Sequence, residues 1–463
     1  MLWMVPDSRL SASAVSAPRH IPALTSLRFI AAFMVMFGHT MGHFYSGFDH
    51  NGSTYPALAN LAQVGMSLFF VLSGFVISYN YSSIGSLQSA ELKRFAVARV
   101  ARIYPLYIAV LLFNNWMWSW NYVTPGGLAA HLTLTQDWFM DTVGGLPLIS
   151  QFHNAEVTWS ISAEWFCYIL FPLVCFGLDR LRRPLLMLML TWVVTIAFMR
   201  WVRHAAPYYD SIGAYKFIEW LGYYSPYVRL LEFLVGCLVF RIGVSLPAPG
   251  NAELRLAPLI ALVAIIWLCI ADVLCNATWM HSMLSIFGWC GGYTPGAALL
   301  IFYCHRHGGG LLENRLLELF GDASYSFYLL HTLILAAFLK LIPAPTTDVF
   351  SALIVIFSAI VANLALSVLL YKFFELPARN IIRDTFGYRR ATAAADEMPN
   401  KGRSHSPHPI PNLFREARGH DNHVHDPGAT RFMTDRNRAK GEQPMDLAGA
   451  VTTDRIPRAM SPT

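Results

Sequence analysis

The sequence predicts an all-α membrane protein, a polytopic bundle of about ten transmembrane helices with both termini in the cytoplasm. Hydrophobic residues make up 55% of the 463 residues and charged residues 13%, whereas a soluble domain carries roughly 25% charged residues. Apolar segments of about 20 residues, the length that crosses the hydrocarbon layer as a helix, recur along the chain. Lipid admits only helices and closed barrels, because every backbone polar group must be bonded internally. The alternating pattern of a barrel strand is absent.

Ten segments have the length and apolar character of a spanning helix. They cover residues 22–44, 61–80, 103–120, 157–178, 184–202, 226–241, 256–275, 281–304, 315–341 and 349–374. Lys and Arg gather in alternate loops, and the positive-inside rule assigns those loops and both chain ends to the cytoplasm. We therefore expect a cytoplasmic N-terminal segment (1–21), a transmembrane domain (22–383) and a disordered cytoplasmic tail (384–463). The tail has too few aliphatic residues to fold alone.

The first span carries two ionisable side chains, Arg28 and His39. Residues 1–20 lack the apolar stretch and cleavage site of a signal peptide, so this span is expected to be retained. Eleven residues at about 100° each come to three turns and about 20°, which places both side chains on one helix face. Ionisable groups inside a membrane are costly and usually face the bundle interior or a wet cavity. This pattern is compatible with a functional site and with a structural interhelical hydrogen bond of His39.

Two arginines stand side by side at the cytoplasmic start of the third span. The segment FAVARVARIYPLY places Arg99 and Arg102 at positions i and i+3, which are neighbours on a helix. Two guanidinium groups suit a phosphate-bearing ligand, because each forks onto phosphate oxygens and keeps its charge. Basic residues at this place also serve as topology anchors, the role that position alone favours.

Two further polar residues lie inside predicted spans. TWSISAEWFCYILFPL puts Glu164 near the outer edge of the fourth span, where a carboxylate could orient an imidazole, accept a proton or satisfy an interhelical bond. DASYSFYLLH puts His331 in the ninth span. At about 1.5 Å per residue, His39 and His331 lie roughly 24–26 Å from the inner ends of their helices. We therefore expect these three residues in the outer half of the membrane and the three arginines in the inner half.

The sequence indicates no metal site. Its seven cysteines are scattered singly, without a CxxC or CxxH pair, so neither zinc nor a disulfide framework is expected. Histidines in the tail, among them His420, His423 and His425, imply no fixed ligand geometry. We expect no bound cofactor and no nucleic-acid partner.

Seven segments of the transmembrane domain form an ordered set. They are LTSLRFIAAFMVMFGHT, SLFFVLSGFVIS, FAVARVARIYPLY, TWSISAEWFCYILFPL, RLLEFLVGCLVF, SYSFYLLH and YKFFELPAR. Each is weakly informative alone, but together they resemble, in order, the recurring segments of the acyltransferase 3 family of bacterial inner-membrane O-acyltransferases. The resemblance spans about residues 22–383.

The resemblance implies roles for the polar residues described above. In that family, a basic residue and a histidine with ten residues between them, matched by Arg28 and His39, are regarded as functional. So is the RxxR pair, which matches the two arginines of the third span. Glu164 and His331 fall on polar positions of other recurring segments.

Two departures limit this transfer. Many relatives have an acid at the position of Ser67 and a second Glu at the position of Trp165, so any role of those acids is absent here or handled differently. Some relatives also carry an extracytoplasmic esterase-like domain, and we expect none within these 463 residues.

The activity that the resemblance implies is transfer of an acyl group, most often acetyl, from cytoplasmic acyl-CoA to a hydroxyl of a surface carbohydrate or glycolipid. In this hypothesis Arg28, Arg99 and Arg102 hold the CoA phosphates. His39 removes the proton of the acceptor hydroxyl, Glu164 orients the imidazole, and His331 belongs to the same catalytic group. The expected partners are acyl-CoA, the acceptor and the lipids of the bacterial inner membrane.

Two other function classes were weighed. A transporter of a glycan intermediate or an acidic metabolite would also line its path with charges, but paired, Gly/Pro-broken spans are not apparent in the two halves. A non-catalytic scaffold would have little use for an arginine and a histidine on one buried face.

Overall fold

A computed structural model describes residues 20–44, 54–118, 123–140, 142–143, 146–147, 156–210, 217–277, 290–342 and 349–386. Most of the predicted N-terminal segment, and the tail from residue 387 onward, lie outside these ranges. Within them the chain is mostly helical, with short turns and loops between the helices and one antiparallel pair of two-residue strands, β1 (Thr142–Val143) and β2 (Leu146–Pro147). The predicted all-α class is confirmed.

The described ranges contain fourteen α-helices. In order they are α1 (Pro22–Phe44), α2 (Thr54–Asn80), α3 (Ser89–Trp118), α4 (Pro125–Thr133), α5 (Trp159–Asp179), α6 (Pro184–Asp210), α7 (Phe217–Glu219), α8 (Pro226–Ser245), α9 (Asn251–Ala277), α10 (Thr294–His307), α11 (Arg315–Asp322), α12 (Ser324–Leu341), α13 (Val349–Leu370) and α14 (Leu376–Thr385). Short 3-10 turns occupy Ser82–Ser86, Glu156–Thr158 and Gly310–Glu313, and π turns occupy Trp220–Tyr224 and Tyr371–Glu375.

Eight helices in the described ranges are long and apolar enough to cross a membrane: α1, α2, α3, α5, α6, α9, α12 and the α13–α14 segment. The predicted span 226–241 coincides with α8, which is not among the eight and carries several charged residues. The predicted span 281–304 lies partly outside the described residues and partly on α10. The count of ten spans and the cytoplasmic placement of both termini therefore stay predictions.

The core of the bundle lies around α1 and α2. In the apolar stretches of these two helices 67% and 78% of the residues are buried, whereas in those of α6 and α9 only 22% and 17% are buried. In a membrane protein, the weakly buried apolar helices are the ones that lipid surrounds. Helix α2 packs against both α1 and α8, so residues on its faces reach the centre of the bundle.

Glycines allow α2 to approach its neighbours closely. Gly65 and Gly74 lie on this span, where small residues predict close helix packing. A Cβ atom on Gly74 would overlap the backbone carbonyl oxygen of Phe233, and one on Gly236 would overlap that of Val71. A Cβ atom on Gly65 would meet the backbone of α1 at Ala31. Both α2 glycines are therefore positions of close helix packing.

The C-terminal end of the described chain packs against the bundle. The π turn Tyr371–Glu375 leads directly into α14, and Glu375 is buried while Lys372 is exposed. Helix α14 packs against α3. Because π turns add a residue to a helical turn and often mark functional sites, this junction sets which face of α14 meets the bundle.

Candidate active site

Two histidines that are 292 residues apart in sequence meet in the structure. Nδ1 of His39 lies 3.0 Å from Nε2 of His331, and the two rings stack with their centroids 5.2 Å apart. Nδ1 of His331 contacts the backbone carbonyl oxygen of Tyr328. A carbonyl only accepts, so His331 Nδ1 carries the hydrogen, and in the neutral ring Nε2 is then an acceptor. His39 therefore donates from Nδ1 and carries its basic lone pair on Nε2.

Helices α1, α5 and α12 hold this histidine pair in place. His331 is fully buried on α12, and Tyr328, one turn before it, reaches the start of α5. The Tyr328 hydroxyl donates to the carbonyl oxygen of Val157 at 2.9 Å and lies 2.6 Å from Oγ of Ser160. A ring that is oriented by packing and hydrogen bonds on several sides is preorganised, as proton transfer requires.

The three arginines predicted to bind a donor lie together. Arg28 from α1 and Arg99 and Arg102 from α3 line one cavity of about 200 Å³. Two more arginines, Arg379 and Arg383 from α14, complete its lining. The three predicted arginines thus line one cavity, and their role as donor-binding residues stays a prediction.

The two α3 arginines have different surroundings. Arg102 forms an ion pair with the buried carboxylate of Glu375, which also accepts a hydrogen bond of 2.8 Å from Oγ of Ser326. Arg99 has no carboxylate partner among the described residues. Its guanidinium lies 5.4 Å from the ring centroids of both Tyr81 and Tyr168. Aromatic faces stabilise a cation without neutralising it, so Arg99 keeps its positive charge at the cavity wall.

Glu164 lies with the arginines and not with the histidines. Its Oε1 accepts a hydrogen bond of 2.9 Å from Oγ of Ser73 and another from the hydroxyl of Tyr168, and it lines the arginine cavity. The expectation that Glu164 orients His39 therefore does not hold in this structure, because His331 occupies that position. The predicted depth of Glu164 in the membrane had suggested that it pairs with His39. In the structure the carboxylate lies on the face of α5 that meets α2, and it therefore bonds to Ser73 of α2.

Two aromatic rings stand between the cavity and the histidine pair. Phe69 lines the cavity and stacks on Tyr328 with ring centroids 6.3 Å apart. The Tyr328 ring in turn lies 5.4 Å from that of His331. The basic cavity and the histidines are thus separate compartments joined through the Phe69–Tyr328 pair.

A buried ion pair on α8 was missed at the sequence level. Nη1 of Arg229 lies 2.7 Å from Oε2 of Glu232, and both side chains are essentially inaccessible. Ser67 donates to the other carboxylate oxygen, Oε1, at 2.6 Å. Ser67, whose position resembles one at which many relatives have an acid, thus donates a hydrogen bond to an acid on α8, Glu232. The available signal was an Arg and a Glu three residues apart within the apolar segment RLLEFLVGCLVF, since charges inside a membrane span are rarely incidental.

The described residues contain no cluster of three or more His, Cys, Asp or Glu side chains placed to hold a metal ion. Six cysteines are free thiols, namely Cys167, Cys175, Cys237, Cys269, Cys290 and Cys304.

Comparison with known proteins identifies the family of the chain. A family model described as an acyltransferase domain, acyltransferase 3, matches residues 21–372. Acyltransferase MdmB of Streptomyces mycarofaciens is 26% identical over 337 residues, 68% of this chain and 79% of that protein. An uncharacterized protein of Haemophilus influenzae is 25% identical over 182 residues, 38% of this chain and 73% of its own. No solved structure matches the chain. Because the matched region covers well over half of the sequence, the chain belongs to the acyltransferase 3 family and is a multi-pass membrane protein that transfers acyl groups.

Proposed function

We propose that the protein moves an acyl group, in the simplest case acetyl, from acyl-CoA on the cytoplasmic side of the bacterial inner membrane to a hydroxyl of a carbohydrate or glycolipid. The observation that carries this proposal is the arrangement of two compartments. A cavity lined by five arginines adjoins a hydrogen-bonded histidine pair through two aromatic rings. Membership of an acyltransferase family favours an enzyme over the transporter that the sequence alone left open.

The arginine cavity suits the phosphate groups of the donor. Arg28, Arg99 and Arg102 each present a planar fork of N–H donors, and such forks bind phosphate oxygens in pairs. Arg99 is the strongest candidate of the three, because it lies between aromatic rings and has no carboxylate partner in the described ranges. With its phosphates held here, the pantetheine arm would extend past Phe69 and carry the thioester toward the histidines.

The histidine pair suits general-base catalysis. In the proposed step, Nε2 of His39 takes the proton of the acceptor hydroxyl as that oxygen attacks the thioester carbonyl carbon. The carbon–sulfur bond then breaks, and the CoA thiolate leaves and takes up a proton. His331 stabilises the charge that develops on His39, because its Nε2 accepts the Nδ1–H hydrogen bond. The same base is needed whether the acyl group moves directly or through a covalent intermediate.

The proposal is tested in inverted membrane vesicles, which expose the cytoplasmic face to added donor. Vesicles that contain the wild-type protein are incubated with radiolabelled acetyl-CoA, and the label is followed into carbohydrate and glycolipid fractions. We expect label in one of these fractions with wild type and background label with His39→Gln. If wild type is inserted and label stays in CoA for acetyl and for longer acyl groups, the proposed donor is refuted.

A further inference from the structure

The two arginines of α14 follow the last apolar span, a place at which basic residues often anchor the topology of a chain. In the structure, however, Arg379 and Arg383 line the same cavity as Arg28, Arg99 and Arg102. Both lie beyond residue 372, where the match to the family model ends.

The charges on the cavity wall leave a positive excess. Five guanidinium groups face only two carboxylates on the lining, those of Glu164 and Asp322. Glu375 lies behind Arg102 and pairs with it. Among the described residues, the lining therefore carries more basic than acidic side chains, and burial makes such an imbalance costly unless an anion balances it.

Two of the guanidinium groups also have unused donors. The Nε atoms of Arg99 and Arg379 are buried and have no hydrogen-bond partner in the described part of the chain. Buried N–H groups in native proteins are nearly always bonded to protein, water or ligand. These donors come from two helices that pack against each other, α3 and α14, and both arginines line the cavity, so one ligand group could bind both.

The backbone explains why α14 presents arginines to the cavity. Glu375, Arg379 and Arg383 are spaced four residues apart, and side chains at i, i+4 and i+8 lie on one helix face. The buried Glu375 bonds to Arg102 of α3 and to Ser326 of α12, which fixes that face toward the bundle. Lys372, three residues before Glu375, is exposed and is not part of the lining.

From these observations we propose that Arg379 and Arg383 are ligand-binding residues that close the cavity into a site for a donor with two or more phosphate groups. This assignment rests on the proposed function, in which acyl-CoA is the donor. Five guanidinium groups on one lining suit a ligand with at least two phosphates better than one with a single phosphate or a carboxylate, because more oxygens are then available to the forked donors.

The test is ligand binding to the purified full-length protein in lipid nanodiscs, measured by calorimetry with three probes. The probes are CoA, pantetheine, which carries no phosphate, and inorganic pyrophosphate. We expect Arg379→Ala and Arg383→Ala each to weaken CoA binding by about tenfold to a hundredfold, the range for a charge-assisted hydrogen bond. Pantetheine binding should be unchanged in both. Lys372→Ala is the matched control, and it should bind all probes like wild type.

Arg379→Lys keeps the charge and helix end but loses the forked geometry. It should bind CoA more weakly than wild type. If the alanine variants are unstable, Arg379→Lys replaces them in the binding test. If Arg379→Ala and Arg383→Ala bind CoA as Lys372→Ala does, the two arginines are anchors and the proposal is refuted. If wild type binds pyrophosphate in a manner that depends on these arginines but does not bind CoA, the phosphate site stands and acyl-CoA as donor is refuted.

Discussion

Replacing His39 by glutamine separates a catalytic role from a structural one. Glutamine carries an amide N–H that can still donate to Nε2 of His331, which now lies 3.0 Å from Nδ1 of His39. The interhelical hydrogen bond between α1 and α12 is therefore retained. No atom of a glutamine side chain takes up a proton near neutral pH, so the variant removes the base and little else.

The expected loss follows from the role of the side chain. General-base catalysis contributes about a hundredfold to ten-thousandfold to a rate. A single neutral hydrogen bond contributes about 0.5–1.5 kcal/mol, which corresponds to roughly twofold to tenfold. A structural His39 thus predicts nearly normal activity for His39→Gln, and a catalytic His39 predicts activity at or near background.

His331 provides the companion experiment. His331→Gln keeps an amide oxygen that can accept the Nδ1–H of His39, so we expect activity within about tenfold of wild type if His331 is a positioning residue. His331→Leu removes the acceptor and should lose more. Rescue by glutamine at position 331 but not at position 39 would show that the two histidines have different roles.

The assay measures acceptor acylation per molecule of membrane-inserted protein, in the vesicle system described above. Insertion is quantified by surface labelling, so that a folding defect is not read as a loss of catalysis. Activity of His39→Gln within a few-fold of wild type would refute the assignment of His39 as the base.

The remaining predictions concern the framework. Glu232→Ala leaves the buried Arg229 without its carboxylate partner and should cost about 3–5 kcal/mol of stability, measured as a lower thermal unfolding midpoint in detergent. The double variant Arg229→Met, Glu232→Met should recover most of this stability. An unchanged midpoint for Glu232→Ala would contradict the argument. Gly74→Leu should abolish assembly of the bundle, because the side chain would overlap the α8 backbone at Phe233; a stable, active variant would show that the contact yields. Reporter fusions after residues 50 and 145 should report the outside and a fusion after residue 183 the inside; a cytoplasmic signal from residue 145 would overturn the predicted topology.

Several residues of the site were predictable because the signal is local. The spans depend on hydropathy within about 20 residues, and the RxxR spacing places Arg99 and Arg102 side by side on any helix. The shared face of Arg28 and His39 follows from the helical repeat alone. These features require no knowledge of how the helices pack.

Other features of the site depend on which helices are neighbours. The sequence by itself determined the all-α membrane class, the family resemblance and six candidate residues, because each of these is written in short segments of the chain. Only the tertiary structure decided that His39 contacts His331 instead of Glu164. It also decided that Ser67 donates a hydrogen bond to Glu232 and that α14 brings Arg379 to the cavity. The physical reason is that the rotation of each helix about its axis is set by packing between segments distant in sequence, such as the glycine contacts of α2 with α8. That rotation, and not the order of residues along one helix, determines which polar side chains can touch.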